Sequence, residues 1–282
     1  STFAAISSHD LQTVPIPIFS LATQHKIAEI FVAIDRAIEQ TEAQIDKYKR
    51  IKTGLMQDLF TRGVLPNGQL RPPREQAPEL YKKTKIGWIP NEWLLEPFGL
   101  HSFIIDPNPS HRYPIPVPDG VPICSTENFA GEDEFDFSNK ITDVVFARKG
   151  KIGLARRYGS EKKAFSHTVV IFKPKTTLLD SRWLLWLARS DWFLGGIDRT
   201  MNSNSGVPTL GVDFISKLTV PIPSKIEQET MTEVLDQVSI VIAAAKAQRR
   251  KLRHQKLGLM QDLLTGKVQV NIDAQIAEPV RG

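Results

Sequence analysis

The chain has 282 residues, 36 Lys+Arg against 31 Asp+Glu, 41% hydrophobic residues and one cysteine, Cys124. That mixture buries a core, so it excludes a disordered or collagen-like chain; a lone cysteine excludes disulfide frameworks and multi-cysteine zinc sites. No apolar run reaches the ~20 residues of a membrane span, and no signal peptide opens the chain, so the expected address is the cytoplasm, with no membrane partner.

The first copy of an internal repeat begins at Thr13. Thr13-Val14-Pro15-Ile16-Pro17 returns 206 positions later as Thr219-Val220-Pro221-Ile222-Pro223, and Gly54-Leu55-Met56-Gln57-Asp58-Leu59 returns 204 positions later as Gly258-Leu259-Met260-Gln261-Asp262-Leu263. Gln24, Glu29, Ile38, Ala43, Gln44, Lys47 and Lys52 also recur 204 positions on, so the repeat is one long segment.

Gln24–Thr61 and Gln228–Thr265 contain no proline and are rich in Ala, Glu, Gln, Lys, Arg and Leu, which predicts two long helices. In the first, Ile27, Phe31, Ile34, Ile38, Thr41, Ile45, Tyr48, Lys52, Leu55 and Leu59 alternate steps of four and three. In the second, Met231, Leu235, Val238, Ile242, Ala245, Arg249, Leu252, Lys256, Leu259 and Leu263 do the same. An a/d stripe this long asks for a partner helix more than for an ordinary core, with Thr41, Arg249 and the two lysines setting register.

Between the helices the expected order is a linker at 65–84, rich in turn residues, then a compact domain over 85–223. Six prolines between Pro107 and Pro122 predict an extended loop. Strands are expected at Thr142–Ala147, Ile152–Tyr158 and Thr168–Lys173. A helix from Arg182 to about Ser190, capped by Asp180 or Ser181, carries Trp183, Leu184, Trp186 and Leu187, which read as core. The remaining divisions are a tail at 1–20, helices at 21–64 and 224–268, and a tail at 269–282. The fold class is mixed α/β (α+β): one globular domain on two long helices.

Charge concentrates between Lys140 and Lys175, where ten Lys and Arg face only Asp143 and Glu161. Such a cluster suits phosphates, and arginine can fork to guanine; a solvated sheet face is the alternative. Walker A, G-x-G-x-x-G and G-x-S-x-G motifs are absent, and the six histidines show no metal-ligand spacing. Asp143 followed by Glu161-Lys162-Lys163 has the layout of a metal-dependent nuclease, a pattern common by accident in lysine-rich chains. A non-DNA coiled-coil adaptor is the other alternative.

The words Trp88-Ile89-Pro90-Asn91-Glu92-Trp93, Asp143-Val144-Val145-Phe146-Ala147-Arg148-Lys149-Gly150-Lys151-Ile152-Gly153 and Leu218-Thr219-Val220-Pro221-Ile222-Pro223, followed by Glu227-Gln228, together with the two Gly-Leu-Met-Gln-Asp-Leu helix ends, resemble the specificity (S) subunit of type I restriction-modification systems. The resemblance covers about Leu11 to Val268 and implies a non-catalytic reader of double-stranded DNA. Its one target-recognition domain would read half of a bipartite site, mounted on an antiparallel coiled coil that acts as a ruler. It implies methyltransferase and restriction subunits as partners, which carry S-adenosylmethionine, ATP and Mg; this chain would bind no cofactor or metal. Two departures stand out: only one recognition domain is present, so residues 1–10 read as the tail of a preceding one and the chain as a fragment or else a short form that completes itself by dimerising, and an insert usual near Lys140 is nearly absent. The expected DNA contacts are Arg112, Tyr113, Arg148, Lys149, Lys151, Arg156, Arg157, His167, Arg199, Asn202, Ser203 and Asn204.

Overall fold

The computed structural model describes residues 7–113, 115, 117–129, 143–157, 164–198 and 210–271. In chain order the elements are α1 (Ser8–Gln12), α2 (Leu21–Arg62), β1 (Tyr81–Thr84), β2 (Gly87–Pro90), β3 (Leu94–Pro97), α3 (Phe98–His101) and β4 (Ser102–Ile105). They continue with β5 (Ile123–Cys124), β6 (Val144–Ala147), β7 (Ala155–Arg157), β8 (Ala164–Phe165) and β9 (Val169–Pro174). The last five are α4 (Ser181–Ala188), α5 (Asp191–Asp198), α6 (Val212–Lys217), β10 (Thr219–Ile222) and α7 (Lys225–Leu263). No helix among the described residues is long and apolar enough to cross a membrane.

α2 starts at Leu21 and α7 at Lys225, three residues ahead of the proline-free runs from Gln24 and Gln228, because serines hold their first turns. The Ser20 hydroxyl accepts from Thr23 N at 3.2 Å, and the Ser224 hydroxyl accepts from Glu227 N at 3.3 Å. These serines are themselves 204 positions apart, so the repeat extends to its N-caps. Each helix stops near a glycine with positive φ, Gly63 at 64° and Gly266 at 72°.

The chain forms two compact units, Ser1–Tyr48 with Ile242–Gly282, and Lys49–Val241. These differ from the expected domains: Lys49–Arg62 and Lys225–Val241, parts of the long helices, belong to the same unit as the recognition fold, since their apolar faces complete its core.

In the first unit the two helix segments pair antiparallel. Lys256 bonds Asp35 at 2.5 Å, and Arg253 bonds Glu42 at 2.6 Å with Arg249 4.0 Å from the same carboxylate, so numbers rise on one helix as they fall on the other. Ile27, Ile38, Thr41 and Ile45 are buried on α2, as are Ile242, Ala245 and Leu263 on α7; Phe31, Ile34, Tyr48, Arg249, Leu252, Lys256 and Leu259 are half-buried. Buried Thr41 donates its hydroxyl to the Ala37 carbonyl at 2.7 Å, so the polar seam residue carries no unmet bond.

In the second unit a four-stranded antiparallel sheet has the order β4-β9-β6-β7. β6 is buried along its whole length, and Phe146 and Phe172 stack at 5.2 Å with Phe98 and Phe193 packed edge-on against them. α4 covers this core with Trp183, Leu184, Trp186 and Leu187, none more than 0% exposed, and Asp180 caps it by accepting from Arg182 N and Trp183 N. From the helices, Leu59, Met231 and Leu235 are buried in the same core, while Lys52, Leu55 and Val238 are half-buried.

The expected linker at 65–84 ends early. Tyr81–Thr84 is a strand, paired with β2 in a hairpin closed at Gly87, whose φ is 120°; the prolines before it end at Pro78 and leave its amides free to bond. β6 and β7 fall within the first two expected runs but are shorter, β7 because Gly150 and Gly153, both at positive φ, form a turn where the second run was expected to begin, and β9 matches the third run displaced by one residue. The proline-rich stretch carries no strand before Ile123 among its described residues. The second repeat word becomes β10, antiparallel to β3.

Candidate nucleic-acid interface

Three loops meet at the end of β6. Backbone amides of Arg148 and Lys149 both donate to the Thr168 carbonyl, at 3.0 and 3.2 Å, which fixes the 147–151 turn against the 166–168 turn. The third is the loop after β4, where Asp106 Oδ1 accepts from Asn108 N at 3.0 Å and the Asn108 carbonyl accepts from His111 N at 3.1 Å.

Arg148 joins all three. It is 5% exposed, its Nη2 donates to Asp106 Oδ2 at 2.5 Å, and its Nε donates to the His167 carbonyl at 2.9 Å. The His167 ring stacks on His111 at 4.5 Å and 23°, and meets Tyr113 edge-on at 5.9 Å. Burial first, then the positive surroundings of His111, Lys149 and Arg148, push the His167 pKa down, against the opposing pull of Asp106.

The expected DNA contacts therefore divide. Arg112, Tyr113 and Lys151 are exposed, Lys149 and His167 half-buried, and all lie on these three loops. Arg148 is enclosed in the ion pair just described. Arg157 is set apart as well: its guanidinium lies 3.4 Å from Asp236 and donates to the Arg182 carbonyl at 3.0 Å. Burial pulls the Arg157 pKa down while Asp236 opposes it. Both arginines are enclosed in ties rather than held out at the surface, because each finds a half-buried carboxylate that only the tertiary fold supplies. Arg156 lines a cleft of about 490 Å³ with Lys52, Trp186 and Arg189. Arg199, Asn202, Ser203 and Asn204 lie outside the described residues.

The charge run is likewise dispersed. Lys173 pairs with Asp143 at 3.2 Å and Lys175 sits 5.5 Å over the Phe103 ring, while Lys140 and Glu161-Lys162-Lys163 lie outside the described residues. Among the described residues no group of three or more His, Cys, Asp or Glu is placed to hold a metal ion. Sequence reasoning missed Asp106 and His111; the Asp-x-Asn spacing before a proline-rich stretch was the available signal for an ordered turn.

Residues 117–253 match the family described as the type I restriction modification DNA specificity domain. The chain is 25% identical over 283 aligned positions to the type I restriction enzyme MjaVIII specificity subunit of Methanocaldococcus jannaschii, covering 92% of this chain and 63% of that protein. It is 22% identical to the putative MjaX specificity subunit of the same organism, covering 95% and 62%. The chain thus spans less than two thirds of the length of these relatives. Among solved structures, the S subunit of a type I restriction-modification system from M. genitalium shares the fold with a TM-score of 0.59 at 15% identity, covering 92% of this chain and 65% of that one. A chain from a structure of type I restriction-modification complex assembly and conformational transition gives 0.53 at 15% identity, covering 95% and 65%. Over residues 117–253 the chain is thus similar to the type I restriction modification DNA specificity domain, and its fold is that of the S subunit from M. genitalium.

Proposed function

We propose that the chain reads one half of a bipartite DNA site and positions methyltransferase and restriction subunits on it, without catalysing either reaction. The observation that carries this is the coincidence of the DNA specificity match over 117–253 with a loop cluster in which the turn bearing Lys149 and Lys151 is bonded to the turn bearing His167. Long-range attraction by such lysines brings a domain to phosphates, and base edges are then read by neighbouring polar and planar groups. In this reading S-adenosylmethionine, ATP and Mg belong to the partner subunits, the complex works in the cytoplasm, and the paired helices space two half-site readers.

Methylation-site mapping with the cognate methyltransferase tests it. One half of each methylated site should be a constant short sequence that depends on this chain. Methylation without a common sequence, or cleavage of DNA by the isolated chain in Mg alone, would overturn the proposal.

A further inference from the structure

Arg148 has the residue type of a DNA contact but not its position. Its two bonds run inward, to a carboxylate on one loop and a carbonyl on another, and the residue is 5% exposed. The result is ring geometry at the surface. Asp106 is tied through Asn108 to His111, and the Asn108 side-chain amide also donates to the Arg112 carbonyl at 3.1 Å. His111 is thereby held at a φ of 55°, uncommon for a residue with a side chain and maintained only where surrounding contacts over-determine it. In that conformation its ring lies flat on His167, while Tyr113 stands at 63° to the same ring. The His111 side chain is 57% exposed and Tyr113 55%, so two of the three rings face solvent.

On the same loops Arg112 and Lys151 are exposed and Lys149 is half-buried, positive groups suited to phosphates. The rings suit the other task. Neutral imidazole and phenol groups carry one donor and one acceptor each on a planar apolar body, which matches base edges and thymine methyl groups better than a phosphate oxygen.

Resting on the DNA-reading function proposed above, we infer that His111, Tyr113 and His167 form a base-discriminating ledge, and that Arg148 and Asp106 are positioning residues that hold it. Arg148 acts on specificity through the two loops it joins and makes no base contact itself.

The test is methylation-site mapping and salt-dependent DNA binding, with the cognate methyltransferase, for the unaltered chain, the double variant His111→Ala/Tyr113→Ala, and Arg148→Lys. The double variant alters exposed rings and should keep its salt slope while losing about ten-fold in discrimination at one or two base pairs. Lysine keeps the charge of Arg148 but cannot span both partners, so Arg148→Lys should lose discrimination at those same base pairs. A double variant with undiminished discrimination overturns the ledge. Loss at different base pairs in Arg148→Lys shows a direct contact and overturns the positioning role. An unaltered chain that directs no site-selective methylation overturns the DNA-reading function itself, which is a separate result.

Discussion

Arg71 and Glu227, 156 residues apart in sequence, close a buried two-pronged ion pair with contacts of 2.5 and 3.3 Å. The same carboxylate accepts from Val64 N at 2.9 Å and from the indole of Trp93 at 3.0 Å, and Glu92 reaches Arg71 at 3.2 Å. Burial opposes the charge on Arg71, but Glu227 and Glu92 outweigh it and raise its pKa. The Trp88–Trp93 word that opens the recognition domain and the Glu227-Gln228 pair that follows it are therefore partners in space. Their meeting point ties the end of α2 to the start of α7 within the second unit.

Removing one partner leaves the other charged and enclosed. Glu227→Ala should destabilise the second unit by about 3–5 kcal/mol in urea unfolding. Gly63→Ala should also be costly, because its φ of 64° disfavours a side chain and a Cβ there would meet Glu227 Oε1 at 2.1 Å and Trp93 at 2.6 Å. A loss below about 1 kcal/mol in Glu227→Ala would show that water reaches the pair.

Charge at the interface and charge in the core should separate by salt. Lys149→Ala and Lys151→Ala should each lower the slope of log affinity against log salt by about 1, with little change in melting temperature. Arg157→Ala should do the reverse, because it leaves half-buried Asp236 without its cation beside the Trp186 indole that donates to it at 3.0 Å. Binding of DNA over a salt series, with parallel thermal melts, distinguishes the two groups; a slope change in Arg157→Ala would contradict its placement as an internal tie.

Much of the architecture was legible because it repeats. The 4-3 stripe marked helix faces that are buried or half-buried at every one of its twenty positions. The helices begin three residues ahead of the proline-free runs, behind Ser20 and Ser224, which sit 204 residues apart, because a capping hydroxyl is a stronger boundary signal than the absence of proline. The site was less legible. A run of lysines and arginines says how much positive charge is present, whereas Asp106 and Asp236, which neutralise Arg148 and Arg157, lie 42 and 79 residues away. Pairings over such separations are products of the tertiary fold, so local charge counting assigned both arginines to the surface.

The His167 stack should weaken in mild acid. Its folded pKa lies below the ordinary histidine value of about 6.5, so the unfolded chain takes up the proton first. Its contribution is complete above that ordinary value and declines as pH falls below it toward the folded pKa. A melting temperature measured between about pH 7.5 and 5.5 should fall for the unaltered chain and fall less for His167→Phe, which keeps a ring and cannot titrate. Parallel curves for the two proteins would exclude His167 as the source.

The two copies of the repeat differ most usefully at one glutamine. Gln24 donates to the Phe19 carbonyl at 2.8 Å, and Gln228 donates to the carbonyl 204 positions on, that of Pro223, at 2.9 Å. Among the described residues Gln228 makes further side-chain bonds, donating to the Leu178 carbonyl at 2.8 Å and accepting from Asp180 N at 2.9 Å, and it is 0% exposed. The preceding strand words diverge in the same sense: Val220 and Ile222 are 1% and 2% exposed, Val14 and Ile16 56% and 77%. Identical residues in identical local settings should thus have unequal weight. Gln228→Ala should cost about 2–4 kcal/mol, because several buried backbone groups lose their partner at once, whereas exposed Gln24→Ala should cost within about 0.5 kcal/mol. Urea unfolding of the two single variants gives the comparison, and equal losses would mean that the local helix-start bond, common to both copies, is the whole of the effect.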